Sequence, residues 1–154
     1  MGQLYEATVE WQAKGGESFT TRRYSRAHRW RFDGGLEVPA SASPQVVPEP
    51  LSDKAAIDPE EALVAALASC HMLFFLDLAS REGLDVTGYR DAAFGEMGKH
   101  DNGRVGMVRA TLRPRITFAG AADPALVQQL HNRAHELCYI ANSVNFPVMV
   151  DPLK

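Results

Sequence analysis

Alternating apolar and polar positions in the first part of the chain predict β-strands. Three short segments are rich in aromatic and β-branched residues: 4–13, 17–24 and 28–32. Lys14-Gly15-Gly16 separates the first two segments, which we therefore expect to form a hairpin. After the turn Asp33-Gly34-Gly35, the segment 36–57 carries four prolines among small residues, and this composition predicts an ordered surface loop.

The most apolar segment of the chain has the signals of a helix start. Asp58 is a suitable N-cap, Pro59 suits the first helical position, and Glu61 supplies the return arm of a capping box. A helix is therefore predicted from this point to Gly83. Its apolar residues cover nearly every face, which predicts that the rest of the fold or a second copy of the chain encloses it.

The second half of the chain predicts further strands and a second helix. Segments 86–98 and 104–118 have strand composition and meet at Asp101-Asn102-Gly103, which is a strong hairpin signal. Asp123-Pro124 repeats the cap-plus-proline start of a helix, and this second helix is predicted to continue to about Ala141.

A last short strand is predicted over 146–150. The order strands, helix, strands, helix, strand predicts an α+β fold, in which two main helices pack against antiparallel sheets. The chain has 154 residues, 45% of them apolar, which is ample for one core and short for two. We therefore expect a single domain over residues 1–154.

Charge and hydropathy narrow the partners that this chain can have. The net charge is −3, and no basic cluster is larger than Arg22-Arg23 and its neighbours, so no nucleic-acid partner is expected. The apolar stretch 62–76 is shorter than the roughly 18 residues of a spanning helix, so no membrane partner is expected either. The N-terminal residues lack the pattern of an export signal, which favours a cytoplasmic location.

Two cysteines carry the candidate chemistry. Cys70 and Cys138 lie in the two predicted helices, and the sequence contains no other cysteine. In a chain without an export signal, such a pair is more typical of reactive thiols than of a structural disulfide. A buried thiol is unreactive unless a cation lowers its pKa. The segment 22–31, with five arginines in ten residues, is the candidate source, unless these arginines only cover an exposed face.

The same residues allow other interpretations. His131, His135 and Cys138 stand at i, i+4 and i+7 on one helical face, and Cys70-His71 would add a further ligand, so a zinc site is one alternative. A second alternative is that both cysteines are small apolar residues that only fill the core. A non-catalytic binding protein that responds to thiol oxidation is a further alternative.

Two segments resemble the signatures of the OsmC/Ohr family of osmotically inducible and organic hydroperoxide resistance proteins. One is 58–72, in which Cys70 follows Glu60 by ten residues, and the other is 134–144, around Cys138. In that family an Asn-Pro-Glu turn begins a long helix that carries the peroxidatic cysteine, and a second helix carries the resolving cysteine. The resemblance covers essentially the whole chain and implies the OsmC-like fold, with antiparallel sheets and two main helices.

The sequence departs from the family pattern at two places. Asp58 stands where the family has asparagine. Organic hydroperoxide resistance proteins typically have proline and a Tyr-Ser-Asn run after the second cysteine, whereas this chain has Tyr139-Ile140-Ala141-Asn142. The resemblance therefore indicates an OsmC-like branch of the family.

The resemblance implies thiol-dependent reduction of organic hydroperoxides in a stress response, without a cofactor or bound metal. Cys70 would be the nucleophile that becomes a sulfenic acid, Cys138 would condense with it to a disulfide, and an external lipoyl-type dithiol would reduce the disulfide. The family also uses an arginine from the N-terminal strands to activate the thiol. Arg26, which lies 44 residues before Cys70, fits best, with Arg22 and Arg29 as alternatives.

Glu60 would hold this guanidinium by a paired hydrogen bond. Ten residues of straight helix separate Glu60 from Cys70 by about 15 Å, so one chain does not easily bring both to one site. Either the helix starts after Glu60, or Glu60 reaches across from a partner subunit beside that chain's Arg26. We therefore expect an obligate, symmetric and intertwined homodimer with two sites at its interface.

The apolar side chains near the two thiols favour an alkyl or fatty hydroperoxide over hydrogen peroxide, although each could also be ordinary core. They are Met72, Phe74, Phe75, Leu137 and Ile140.

Overall fold

The computed structural model describes residues 2–154 of the chain. They form two compact units, one ending at Ala62 and the other running from Leu63 to Lys154. The fold is α+β, as predicted. Its strands are β1 (Ala7–Glu10), β2 (His28–Phe32), β3 (Glu37–Ala40), β4 (Val86–Asp91), β5 (Phe94–Lys99), β6 (Val105–Leu112), β7 (Pro114–Phe118) and β8 (Val148–Val150), and its helices are α1 (Pro59–Arg81) and α2 (Pro124–Leu137).

The first unit contains the antiparallel sheet β1-β2-β3. Since β1 pairs with β2 along its whole length, the predicted hairpin between 4–13 and 17–24 is wrong. The second of these segments forms a series of turns with one isolated bridge. Phe19 and Tyr24 pack on the Trp11 ring, at centroid distances of 5.8 and 5.6 Å, instead of on a sheet face.

A third strand lies within the segment that was predicted as a loop. Gly35 has a φ of 86°, and this left-handed conformation closes the turn from β2 to β3. Strand β3 then pairs with β2, so the loop prediction is wrong for Glu37–Ala40. Pro39 is tolerated because β3 is an edge strand and its missing N–H faces away from the ladder.

Helix α1 begins where the sequence predicts. The Asp58 Oδ1 atom accepts a hydrogen bond from the Glu61 N–H at 2.8 Å, and Glu61 Oε2 accepts one from the Asp58 N–H at 3.4 Å. Both halves of the capping box are therefore formed. The helix runs without interruption to Arg81, and Gly83, with a φ of 73°, follows its end.

The rest of the chain buries only one stripe of α1. The buried residues are spaced by four: Leu67, His71, Phe75 and Ala79. Leu73, by contrast, is 61% exposed. An 18-residue window of α1 has a mean hydropathy of 1.9, so the helix is long and apolar enough to cross a membrane. The prediction that the apolar stretch 62–76 is too short is therefore wrong on length. Core helices of folded proteins also reach this length and hydropathy. The apolar surface of α1 therefore exceeds what this chain covers.

The predicted hairpin at 101–103 forms between β5 and β6. The predicted segments 86–98 and 104–118 each form two strands instead of one, because β4 pairs with β7 in a separate sheet. The break lies at Arg113, whose N–H donates to the side-chain atom Asp91 Oδ1 at 2.7 Å instead of to a backbone carbonyl of the ladder. Pro114, which follows, has no N–H with which to extend the ladder.

The second unit has two core clusters, and both contain residues of α1. Leu67 packs against residues of β6 and β8, which are Met107, Ala110, Leu112 and Val148. Phe75 and Ala79 pack against Leu130 and Ala134 of α2. These contacts hold α1 against both the sheet and the second helix.

Helix α2 starts as predicted and ends earlier. The Asp123 side chain accepts a hydrogen bond from the Ala125 N–H at 3.0 Å. The helix ends at Leu137 instead of near Ala141, because Cys138 adopts an extended backbone with φ −62° and ψ 108°. The last strand, β8, is shorter than predicted and lies parallel to β6, so that sheet is mixed.

Candidate functional site

The second unit brings the two cysteines together. Cys70 lies in the middle of α1 and is half-buried, whereas Cys138 directly follows α2 and is 1% exposed. Cys70 lies near enough to Cys138 to raise the pKa of the Cys138 thiol, and both cysteines are free. The structure thus places two free thiols in one neighbourhood, as a reversible disulfide between them would require.

The surroundings of Cys138 keep its thiol protonated at neutral pH. Burial raises the pKa of Cys138 to about 11, and the neighbouring Cys70 thiol adds to the rise. The Ala141 N–H donates to Cys138 Sγ at 3.4 Å, which lowers the pKa but does not offset the burial. The more exposed Cys70 is therefore the candidate nucleophile, and Cys138 is the candidate resolving thiol.

Two buried histidines connect α1, which carries Cys70, to α2, which ends directly before Cys138. His71 of α1 is 0% exposed and His131 of α2 is 1% exposed. The His71 Nε2 atom lies 3.1 Å from His131 Nδ1, and Phe75 stacks on His131 at a centroid distance of 4.4 Å. The pKa of each histidine is lowered to about 4, for His131 by burial and for His71 by burial together with the nearby His131 and His135, so both rings of the pair are neutral at pH 7.

The side chains proposed as ligands in the zinc alternative do not come together as a metal site. His71 and His131 bond to each other. Throughout residues 2–154, no three His, Cys, Asp or Glu side chains converge closely enough to hold a metal ion. The predicted spacing of His131, His135 and Cys138 assumed a helix that continues through the cysteine, whereas α2 ends one residue earlier.

The first unit holds Arg26 within a turn. The Arg26 Nη1 atom donates to the backbone carbonyls of Arg22, at 2.9 Å, and of Tyr24. Its Cζ atom lies 3.7 Å from the centroid of the Tyr24 ring, in cation–π geometry. The Arg26 N–H donates to the Leu51 carbonyl at 2.8 Å. Both the backbone and the side chain of Arg26 are therefore fixed.

The alternative arginines are placed differently. Arg29 forms an exposed ion pair with Glu37 at 3.2 Å. Arg22 is exposed and has a φ of 65°. Within 22–31, all of which the structure describes, Arg26 is the one half-buried arginine. This difference favours Arg26 over both alternatives.

Glu60 is half-buried in the first turn of α1. In the described part of the first unit it forms no ion pair with Arg26. Because α1 already begins at Pro59, the alternative that the helix starts after Glu60 is excluded. Arg26 and Glu60 belong to the first unit and the two cysteines to the second, and their roles in one site remain predictions.

The aromatic residues predicted near the thiols differ in their surroundings. Phe75 is fully buried in the core between the helices, so it is a core residue. Phe74, one helical turn after Cys70, packs edge-on against Tyr139 at a centroid distance of 5.1 Å. Tyr139 is 69% exposed. Sequence reasoning missed this tyrosine as a site residue, although its place directly after Cys138 was a usable signal.

Comparison with known protein families agrees with this geometry. The family model described as OsmC-like protein matches residues 52–152. The chain belongs to the OsmC-like protein family. This OsmC-like protein is 46% identical to a solved OsmC-like protein of unknown function from Vibrio cholerae O1 biovar eltor. The two structures superimpose with a TM-score of 0.96, over 99% of this chain and 100% of that one.

More distant structures share the OsmC-like fold. An organic hydroperoxide resistance protein from Elizabethkingia anophelis is 19% identical, with a TM-score of 0.70 over 99% of this chain and 98% of that one. The organic hydroperoxide resistance protein OhrB of Bacillus subtilis is 20% identical, with a TM-score of 0.67 over 98% and 100%. A comparison with functionally curated proteins found no significant match. The predicted family and the predicted OsmC-like α+β fold are confirmed, and the dimer stays a prediction.

Proposed function

We propose that this OsmC-like protein is a thiol-dependent peroxidase that reduces organic hydroperoxides to alcohols. The observation that carries the proposal is the neighbouring pair of free thiols, with Cys70 half-buried and Cys138 buried and protonated. Membership of the OsmC-like family and the fold shared with organic hydroperoxide resistance proteins support the same reaction.

In the proposed reaction the Cys70 thiolate attacks one oxygen of the peroxide. The O–O bond breaks, Cys70 becomes a sulfenic acid, and the alkoxide takes up a proton and leaves as an alcohol. Cys138 then attacks the sulfenic sulfur, which releases water and forms the disulfide. A dithiol of the lipoyl type returns both thiols by two exchange steps. The cycle suits the cytoplasm, where thiols are kept reduced.

Arg26 is the proposed activator of Cys70. Its positive charge would hold the sulfur as a thiolate and stabilise the charge on the leaving oxygen. Two backbone carbonyls occupy Nη1 of Arg26. Within residues 2–154, Nη2 and Nε have no such acceptor, which leaves one edge of the guanidinium for the thiolate, the peroxide and the carboxylate of Glu60.

The proposed working unit is a symmetric homodimer. Glu60 and Cys70 lie on one continuous helix, about 15 Å apart along its axis. Each proposed site therefore combines Cys70 of one chain with the Arg26 and Glu60 pair of the other. The exposed apolar side chain of Leu73, on α1, supports a partner on this helix.

The proposed substrate carries an alkyl or aryl group. Phe74 and Tyr139 form an aromatic pair that follows Cys70 by one turn and Cys138 by one residue. An apolar wall of this kind favours an organic substituent over the small, polar hydrogen peroxide. Cumene hydroperoxide should therefore be reduced with a higher kcat/KM than hydrogen peroxide, and the opposite preference would contradict this part of the proposal.

Intact-protein mass spectrometry tests the reaction. Reduced protein treated with one equivalent of cumene hydroperoxide should lose about 2 Da as the disulfide forms. The variant C138S should instead gain about 16 Da on Cys70, because its sulfenic acid has no resolving thiol. The matched variant C70S should not react. The proposal fails if C70S consumes peroxide as fast as the wild type.

A further inference from the structure

The strand next to Arg26 carries a chain of hydrogen-bonded groups that the proposed reaction does not use. The Trp30 indole Nε1–H donates to His28 Nε2 at 3.0 Å. The other ring nitrogen, His28 Nδ1, lies 2.8 Å from the Arg26 carbonyl oxygen. His28 and Trp30 are two residues apart on β2, so their side chains project from the same face of the strand.

The partners of His28 allow it a single tautomer. An indole N–H only donates hydrogen bonds, so His28 Nε2 must present a lone pair to Trp30. The hydrogen of the neutral ring is then on Nδ1 and is donated to the Arg26 carbonyl. The indole of Trp30 therefore decides which nitrogen of His28 carries the hydrogen, and thereby which group His28 can bind.

Arg26 is held on both sides of its backbone. Its N–H donates to the Leu51 carbonyl at 2.8 Å, and its carbonyl accepts from His28. Arg22, whose carbonyl accepts from Arg26 Nη1, has a φ of 65°, which is an unfavourable conformation for any residue other than glycine. Strained backbone of this kind persists where several contacts together determine it. The strained residue Arg22 therefore lies in the same turn as the contacts that hold the Arg26 guanidinium.

We propose that His28 is a positioning residue for Arg26, and that Trp30 sets the tautomer in which it acts. His28 donates to the carbonyl of Arg26 and so fixes the backbone from which the guanidinium extends. The importance of that orientation for catalysis rests on the proposed function, because Arg26 is the proposed activator of Cys70. The positioning itself rests on the hydrogen bonds.

Two matched variants separate the two sides of the His28 ring. Asparagine places its amide N–H₂ near the position of His28 Nδ1, so H28N keeps a donor for the Arg26 carbonyl and loses the acceptor for Trp30. Glutamine extends its amide toward the position of Nε2, so H28Q keeps an acceptor for Trp30 and loses the donor for Arg26.

Hydrogen exchange of the Arg26 amide is the first measurement. It should stay close to the wild-type rate in H28N and become about fivefold faster in H28Q, since one hydrogen bond of the turn is lost. The kcat/KM for cumene hydroperoxide should follow the same order. Urea denaturation of both variants is the control for folding. A merely structural role of His28 predicts equal effects of both variants on exchange and activity, and that result would overturn the proposal.

The second measurement is the ¹⁵N chemical shift of the His28 ring in the wild type and in W30F. The wild type should show the hydrogen on Nδ1, and W30F should show loss of this single tautomer. A wild-type ring with its hydrogen on Nε2 would overturn the proposal. If the wild type reduces no peroxide, the proposed function fails, while the exchange and tautomer measurements still decide the role of His28.

Discussion

The His71 Nε2 and His131 Nδ1 atoms lie 3.1 Å apart in a bond that joins α1 to α2 beside the thiol pair. When both rings are neutral, one nitrogen donates and the other accepts, so the pair shares a single hydrogen. The outer nitrogens, His71 Nδ1 and His131 Nε2, have no hydrogen-bond partner among residues 2–154. A proton added to this buried pair would therefore bring a charge with few groups to stabilise it.

Acidification is expected to destabilise the protein through these two rings. Each histidine has a pKa of about 4 when folded against 6.5 as its ordinary value, so the unfolded chain binds more protons between these values. The contribution to the free energy of unfolding is complete above pH 6.5 and is lost as the pH falls toward 4. The loss at pH 5 is on the order of 2 kcal/mol per ring. Urea denaturation at pH 7.5 and pH 5 measures it.

The double variant H71Q/H131Q is the control for this effect. Its amides can still bond to each other but do not ionise, so its free energy of unfolding should depend less on pH than that of the wild type. A wild-type free energy of unfolding that is equal at pH 7.5 and pH 5 would contradict the assignment.

The two thiols are expected to differ in reactivity toward iodoacetamide at pH 8. Burial raises the pKa of Cys138 to about 11, so only about 0.1% of it is thiolate at this pH. Cys70, which is more exposed, should be alkylated at least about tenfold faster. Peptide mass spectrometry over time measures both rates, and the difference should disappear in guanidinium chloride. Equal rates in the folded protein would refute the proposed division of roles.

The N-terminus of α1 is expected to depend on the Asp58 side chain. The variant D58A removes the acceptor of the Glu61 N–H and should lower the free energy of unfolding by about 1 kcal/mol. The variant D58N keeps an acceptor oxygen and should lose much less. Urea denaturation compares the two, and an equal loss in both would show that the cap is not the cause.

The proposed dimer is expected to depend on the apolar surface of α1. Leu73 is 61% exposed in the single chain, so L73K should place a charge in the proposed interface and convert the protein to monomers. Q129K, at an exposed position of α2, is the control away from this face and should remain dimeric. Sedimentation velocity distinguishes the two states. A wild-type monomer that still reduces peroxide would contradict the proposed dimer.

Local signals in the sequence predicted the helix starts well, because a cap depends on residues within one helical turn. Asp58 and Asp123 both accept the hydrogen bonds expected of them. Strand pairing was predicted less well, since partners lie far apart in sequence. The segment 17–24 has strand composition, but its aromatic rings pack on Trp11, and β1 pairs with β2 instead.

The candidate site shows the same difference between local sequence signals and tertiary contacts. The resemblance around Cys70 and Cys138 identified the thiols, but the zinc spacing of His131 and His135 was equally visible in the sequence. The structure separates these interpretations, because His131 bonds to His71 and α2 ends before Cys138. No pattern of spacing could show this, since it depends on how two helices pack.

By itself the sequence determined the α+β class, the starts of both helices and the family, because these depend on neighbouring residues and short motifs. Only the tertiary structure decided which side chains meet: Cys70 with Cys138, His71 with His131, and Arg26 with Tyr24 and His28. The physical reason is that hydrogen bonds and pKa shifts depend on distances of a few ångströms and on burial, and chain folding sets both.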